Sequence, residues 1–178
     1  MYQSTLHFWF EECQPAQWFN GGEAFDRLIR ERFATLLEQA RRGELAAWRD
    51  CALGRLAEII VLDQFSRNIY RKQPEAFSAD PIALVLAQEA VRHGCDQALP
   101  PHMRAFCYLP YMHSESVLIH EQALVLYQQR GLESNLAFEI KHKEIIDRFG
   151  RYPHRNEILG RASTAEEIAF LQLPGSSF

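Results

Sequence analysis

The chain has 178 residues, 47% hydrophobic and 24% charged, with a formal net charge of -4. That length fits one domain spanning 1–178 that buries roughly two thirds of its unfolded surface. The composition is neither disordered nor membrane-spanning, since no apolar run reaches the ~20 residues a bilayer crossing needs. An acidic balance argues against nucleic acid as a partner, because neutralising phosphates takes a basic surface.

The opening "MYQSTLHFWFEE" lacks the basic stretch and small-residue cleavage site of a secretory signal. Cys13, Cys51, Cys95 and Cys107 stand far apart, with no C-x-x-C pair. Together these features predict reduced thiols in a cytoplasmic protein.

Along the chain nearly every segment carries a helical period, and none alternates as a strand does. In "EAFDRLIRERFATLL", Phe25, Leu28, Ile29, Phe33, Leu36 and Leu37 form one apolar stripe, with the turn "NGG" before it and Gly43 after it. "LGRLAEIIVLDQFSRNIY" is apolar nearly all round in its first half, which suits a central, buried helix. In "SADPIALVLAQEAVRHG", Asp80 is the expected N-cap, Pro81 the first helical residue and Gly94 the stop. "PPHMRAFCYL" is expected to break at Pro110, with helix resuming from about Glu115 to Gln129. "SNLAFEIKHKEIIDRFG" is a helix capped by Gly150, and "STAEEIAFL" opens with a capping box of Ser163 and Glu166. The prediction is an all-α domain of seven to nine helices, stacked as helical hairpins.

The informative residues are the polar ones that interrupt apolar faces. At 100° per residue, Arg32 falls inside the stripe of its helix, and His142 falls between Phe138, Ile145, Ile146 and Phe149. On the central helix Asp63, Gln64, Arg67, Asn68 and Arg71 share one side, which one turn earlier carries Leu56 and Ile60. Further on, "RFGRYPHRN" packs Arg148, Arg151, His154 and Arg155 among turns and aromatics. Residues 141–161 hold six Lys or Arg against three Asp or Glu, leaving -7 elsewhere. A buried guanidinium needs an acceptor. The acceptors in view are Asp63 and, less directly, Glu115 or Glu121, so interior positive charge is expected to exceed its partners and to attract an anion. Carbonyls at helix C-termini could take up that excess instead, which would make the set an internal brace.

Searches for specific chemistry are negative. No two of the seven histidines lie within four residues of one another, and the single E-x-x-H, Glu139 to His142, lacks the second copy that a di-iron bundle requires. Neither a G-x-S-x-G elbow nor a phosphate-binding glycine loop is present. No metal and no cofactor is expected.

"FWFEE", "WF" at 18–19, "FDRLIRERF", "LDQFSRNIYR", "AFSADPIAL", "YLPYMHSE", "FGRYPHRN", "LGRAST" and "EEIAFL" together resemble the bacterial domain-of-unknown-function family 924, from near the N-terminus to "PGSSF". The resemblance implies an all-helical, tetratricopeptide-like superhelical arrangement and no catalytic residues. This chain departs from the usual pattern at Ser66, where proline is common, and at Tyr152, where phenylalanine is common. The first change leaves the central helix less kinked, and the second adds a hydroxyl able to donate.

The leading functional expectation is a cytoplasmic helical binding module. Its Arg/His-lined cleft, made by Arg67, Asn68, Arg151, His154 and Arg155 with His113 and Glu115, would take a small carboxylate, phosphate or acidic peptide. Arg32, Asp63 and His142 would form a structural polar network, with Asp63 orienting Arg67. The alternative is an enzyme acting on a small anionic metabolite, with His113 or His154 as acid/base and Glu115 tuning it. Neither nucleic acid nor membrane is an expected partner.

Overall fold

The computed structural model describes residues 2–177. Among these there are nine helices and no strand. The helices are α1 (2–12), α2 (Pro15–Asn20), α3 (Gly22–Arg41), α4 (52–69), α5 (Asp80–Arg92), α6 (Pro101–Met112), α7 (Val117–Tyr127), α8 (Glu133–Phe149) and α9 (Ala165–Leu171). No helix among the described residues is long and apolar enough to cross a membrane.

The organising element is α4. Leu56, Ile59, Ile60, Val61, Leu62, Phe65 and Ile69 are all buried in it, and each such side chain contributes about 1.5–3 kcal/mol when fully buried. It packs against α1, α3, α5 and α6, and the chain then continues as successive neighbours, α6 on α7 and α7 on α8. Gly54 lets the preceding turn approach closely, since a Cβ there would stand 1.9 Å from the Trp48 carbonyl oxygen. A π-turn over Val61–Phe65 interrupts the α-helical hydrogen bonding, and α geometry returns over Ser66–Ile69. Ser66 donates its hydroxyl to the Leu62 carbonyl, and the helix runs on through the position where proline is common. The π-turn carries Asp63 into the interior, as such insertions do at many functional sites.

Three local expectations are corrected. Pro110 does not end α6, which runs through it to Met112 and forgoes one backbone hydrogen bond there. Asp80 is the first residue of α5 rather than its N-cap, which is Ala79. The capping box of α9 is Thr164 with Glu167, not Ser163 with Glu166. The run "STAEE" permits both registers, and Ser163 and Glu166 are taken by Asn156 and Arg148. Gly150 does cap α8 in a left-handed conformation, at φ 66°.

Candidate functional site

The site begins with a carboxylate buried in the middle of α4. Asp63 receives Nδ1–H of His113 at 2.7 Å and the Gln64 amide at 2.5 Å. Arg67 closes on it from one turn later, with Nη1 donating to the Asp63 carbonyl at 2.8 Å and standing 3.2 Å from its carboxylate. Burial would raise the Asp63 pKa, but the Arg67 charge, with the hydrogen bonds from His113 and Gln64, holds it well below the usual carboxylate range. Burial and the Arg67 charge push the His113 pKa down, against the pull of Asp63. His113 is therefore a neutral imidazole at pH 7, its Nδ1 spent on Asp63.

Asp80, at the start of α5, is the second anchor. Its two oxygens accept Arg67 Nη1 and Nη2 at 2.9 and 3.0 Å, and Arg155 Nη1 approaches one of them at 3.5 Å. Arg155 comes from the short turn Pro153–Arg155 and lies sandwiched between the Phe77 and Tyr152 rings, each centred 4.6 Å from its Cζ. Its side chain is 8% exposed. Nη2 donates to the His113 carbonyl at 3.1 Å, and Nε is buried with no acceptor. Burial and then the neighbouring Arg67 charge lower its pKa, a sign of a cation held with too little compensation.

Arg155, Asp80, His113 and Glu115 are the ionisable lining of a cleft of about 470 Å³, to which Ser78 and Ser114 add hydroxyls and Phe77, Pro81, Leu84, Pro110 and Leu159 contribute apolar walls. Glu115 is held in place by Arg161, which pairs bidentately at 2.6 and 2.9 Å, and by the Tyr152 backbone N–H at 2.8 Å. It pins the 152–161 segment and makes no contact that would tune His113.

The expected cluster is thus divided. Arg155, His113 and Glu115 line one cleft, and Arg67 backs it through Asp80. Asn68 faces away, donating to Asp26 of α3 at 2.8 Å alongside Arg71, because neighbouring residues on a helix diverge by 100°, which sends Arg67 to α5 and Asn68 to α3. Arg151 pairs bidentately with Glu167 at 2.6 and 2.8 Å. His154 packs on the Tyr152 ring and does not line the cleft, and burial followed by the Arg155 charge brings its pKa down to about 4.

The proposed network is corrected in the same way. Arg32 does not reach Asp63. It is 37% exposed, pairs with Glu12 and lies 4.4 Å over the Phe8 ring, covering its apolar stripe from outside. His142 is buried as expected, with Nδ1 on the Phe138 carbonyl at 2.8 Å and burial lowering its pKa to about 3, although Phe138 itself is exposed. The expected excess of interior positive charge is absent, since Asp80, Glu12 and Glu167 supply the missing partners. What remains in surplus is hydrogen-bond donors on Arg155.

Sequence reasoning missed Asp80, whose only signal is its place in "AFSADPIAL". It also missed the fully buried pair of His120 and Glu139, 2.6 Å apart. Tyr152 closes over that pair, its hydroxyl donating to the Met112 carbonyl and lying 3.2 Å from His120 Nε2, so the departure from phenylalanine does supply a donor.

Residues 5–175 match the family described as "Bacterial protein of unknown function (DUF924)". Among solved structures, the chain is similar to a protein of unknown function, ATU0120, from Agrobacterium tumefaciens, with 38% identity, a TM-score of 0.91 and 96% of each chain covered. No curated protein matches the chain.

Proposed function

Because the chain belongs to the bacterial family DUF924, which brings a fold and no assigned chemistry, we propose a function from the cleft itself. It is a cytoplasmic helical binding module that holds a small carboxylate or phosphate, free or as the end of an acidic peptide, against Arg155. The observation that carries this reading is the incomplete pairing of a buried guanidinium on a cleft wall. Arg155 has five N–H donors, and its acceptors are a carbonyl at 3.1 Å and an Asp80 oxygen at 3.5 Å that is already bonded to Arg67. An anion entering the cleft supplies the close, charge-assisted bonds that Asp80 cannot. The apolar walls favour a ligand with an apolar body behind its charged end. The consecutive packing of α6, α7 and α8 supports reading the scaffold as tetratricopeptide-like. Calorimetric titration with amphipathic carboxylates and phosphates, each beside its uncharged amide or alcohol, tests the proposal. Binding of the anion alone is the expected result, and equal binding of the neutral analogue contradicts it.

One observation favours the enzyme reading. His113 lines the cleft with its Nδ1–H on a buried, ionised Asp63, which leaves Nε2 as the nitrogen able to take a proton. Turnover of chromogenic carboxylate or phosphate esters that disappears in His113→Gln would select that reading over simple binding.

A further inference from the structure

A second cleft, of about 630 Å³, lies on the α3 side of α4, away from Arg155. Its charged lining is Arg27, Arg30, Arg71 and Lys72 against Glu23 and Asp26, a surplus of two positive charges on a protein whose net charge is -4. The pairing inside it is uneven. Asp26 is buried and spent, with Arg71 across both its oxygens and Asn68 on one of them. Arg30 donates to the Ile69 carbonyl, an acceptor that carries no charge. Among the described residues, Arg27 and Lys72 have no carboxylate partner. Three cations are therefore left to face Glu23. Lys72 is held at φ 63°, the one non-glycine residue with positive φ among those described, a conformation that costs of order 1–3 kcal/mol.

An aromatic ring completes the cleft. Phe19 is 61% exposed while lining the same space. Its ring lies parallel to Phe106, with 3° between the planes and centroids 6.4 Å apart. A flat apolar surface beside Arg27, Arg30 and Lys72, in a cleft with a surplus of two positive charges, suits a ligand with a planar group at one end and a dianion at the other.

We propose that this cleft binds a phosphate monoester bearing a planar ring, a mononucleotide in chemical class, with Arg27, Arg30 and Lys72 on the phosphate and Phe19 stacked on the ring. The test is calorimetric titration of the whole chain, at fixed ionic strength, with inorganic phosphate, ribose 5-phosphate, adenosine and AMP. AMP binds about tenfold tighter than ribose 5-phosphate, a gap set by one stacked base, and Phe19→Ala closes that gap. The double variant Arg27→Gln, Lys72→Gln weakens AMP and ribose 5-phosphate together by at least about tenfold. Arg155→Met leaves AMP binding unchanged, which separates this cleft from the one around Arg155. The proposal is overturned if AMP shows no saturable binding up to about 10 mM. It is also overturned if ribose 5-phosphate binds as tightly as AMP, if the double variant binds AMP normally, or if Arg155→Met abolishes AMP binding. All these substitutions are of exposed residues or, for Arg155, of a poorly paired one, and a far-ultraviolet dichroism spectrum verifies that each variant is folded.

Discussion

Arg151 and Arg155 stand four residues apart in the same basic segment, and the protein treats them differently. Arg151 meets Glu167 through two bonds of 2.6 and 2.8 Å, adds the Ala162 carbonyl, and so ties α9 to the end of α8. Arg155 is more deeply buried, shares Asp80 with Arg67 at 3.5 Å, and keeps a buried Nε without an acceptor. Burial alone does not separate a brace from a binding residue. The fraction of donors already met does, because a satisfied guanidinium gains nothing from a ligand and an unsatisfied one does.

Among substitutions, the largest expected effect comes from removing the carboxylate behind the cleft. Asp63→Ala leaves Arg67 and His113 facing a vacancy, and breaking a buried pair this way costs about 3–5 kcal/mol. For a chain of this size that lowers Tm by roughly 6–20 °C, readable by thermal or urea unfolding. A loss comparable to a surface substitution would mean that Asp63 is not the anchor of this region.

Acidification acts on three buried rings at once. Burial keeps His113, His142 and His154 neutral in the fold, with His154 at about 4 and His142 at about 3. The unfolded chain protonates histidine near pH ~6.5. Between those limits the unfolded state binds more protons, so this stability is complete above pH ~6.5 and is lost as pH falls toward 4. The slope reaches about 1.4 kcal/mol per pH unit for each histidine. Urea midpoints measured from pH 7.5 to 4.5 check this, and a flat profile would contradict the burial of these rings.

The arginines themselves sharpen the contrast. Arg151→Met strands the buried Glu167 carboxylate and costs about 1–3 kcal/mol. Arg155→Met replaces a poorly compensated buried cation with an apolar chain of similar length, and leaves stability unchanged or raised, because Asp80 keeps both of its bonds to Arg67. Equal losses in the two variants would mean that Arg155 is as well paired as Arg151. The smallest effect belongs to Arg148→Ala, which removes an exposed pair with Glu166 and costs under about 1 kcal/mol.

Much of the fold was legible because helices advertise themselves through local spacing. The α4 run from Leu56 to Ile69 could hardly be anything but a buried helix, and Gly150 announced the end of α8. The errors fell where two local solutions were equally good, as in the double capping register of "STAEE", or where cost depends on position, as with Pro110. The site was half legible. His113, Glu115, Arg67 and Arg155 were all named, because charged residues at helical spacing among apolar ones are visible in one dimension. Their partners were not, because Asp80 meets Arg67 across two helices and Glu167 meets Arg151 across a turn. Without those carboxylates, the arginines looked like a charge surplus. Arg32 and Asn68 were misplaced for a related reason, since a helical wheel gives the angle of a side chain and not the neighbour that waits there.

The most direct measurement is a thermal-shift comparison of the wild-type protein with Arg155→Met against carboxylates and phosphates at matched ionic strength. A ligand present at about a hundred times its Kd adds roughly 2.7 kcal/mol, a rise of about 5–11 °C for a chain of this size. That rise is expected for at least one amphipathic anion in the wild type and is lost in Arg155→Met, with the variant's own Tm undiminished. A flat response in the wild type, or an equal rise in both proteins, would contradict Arg155 as the anchor of the cleft.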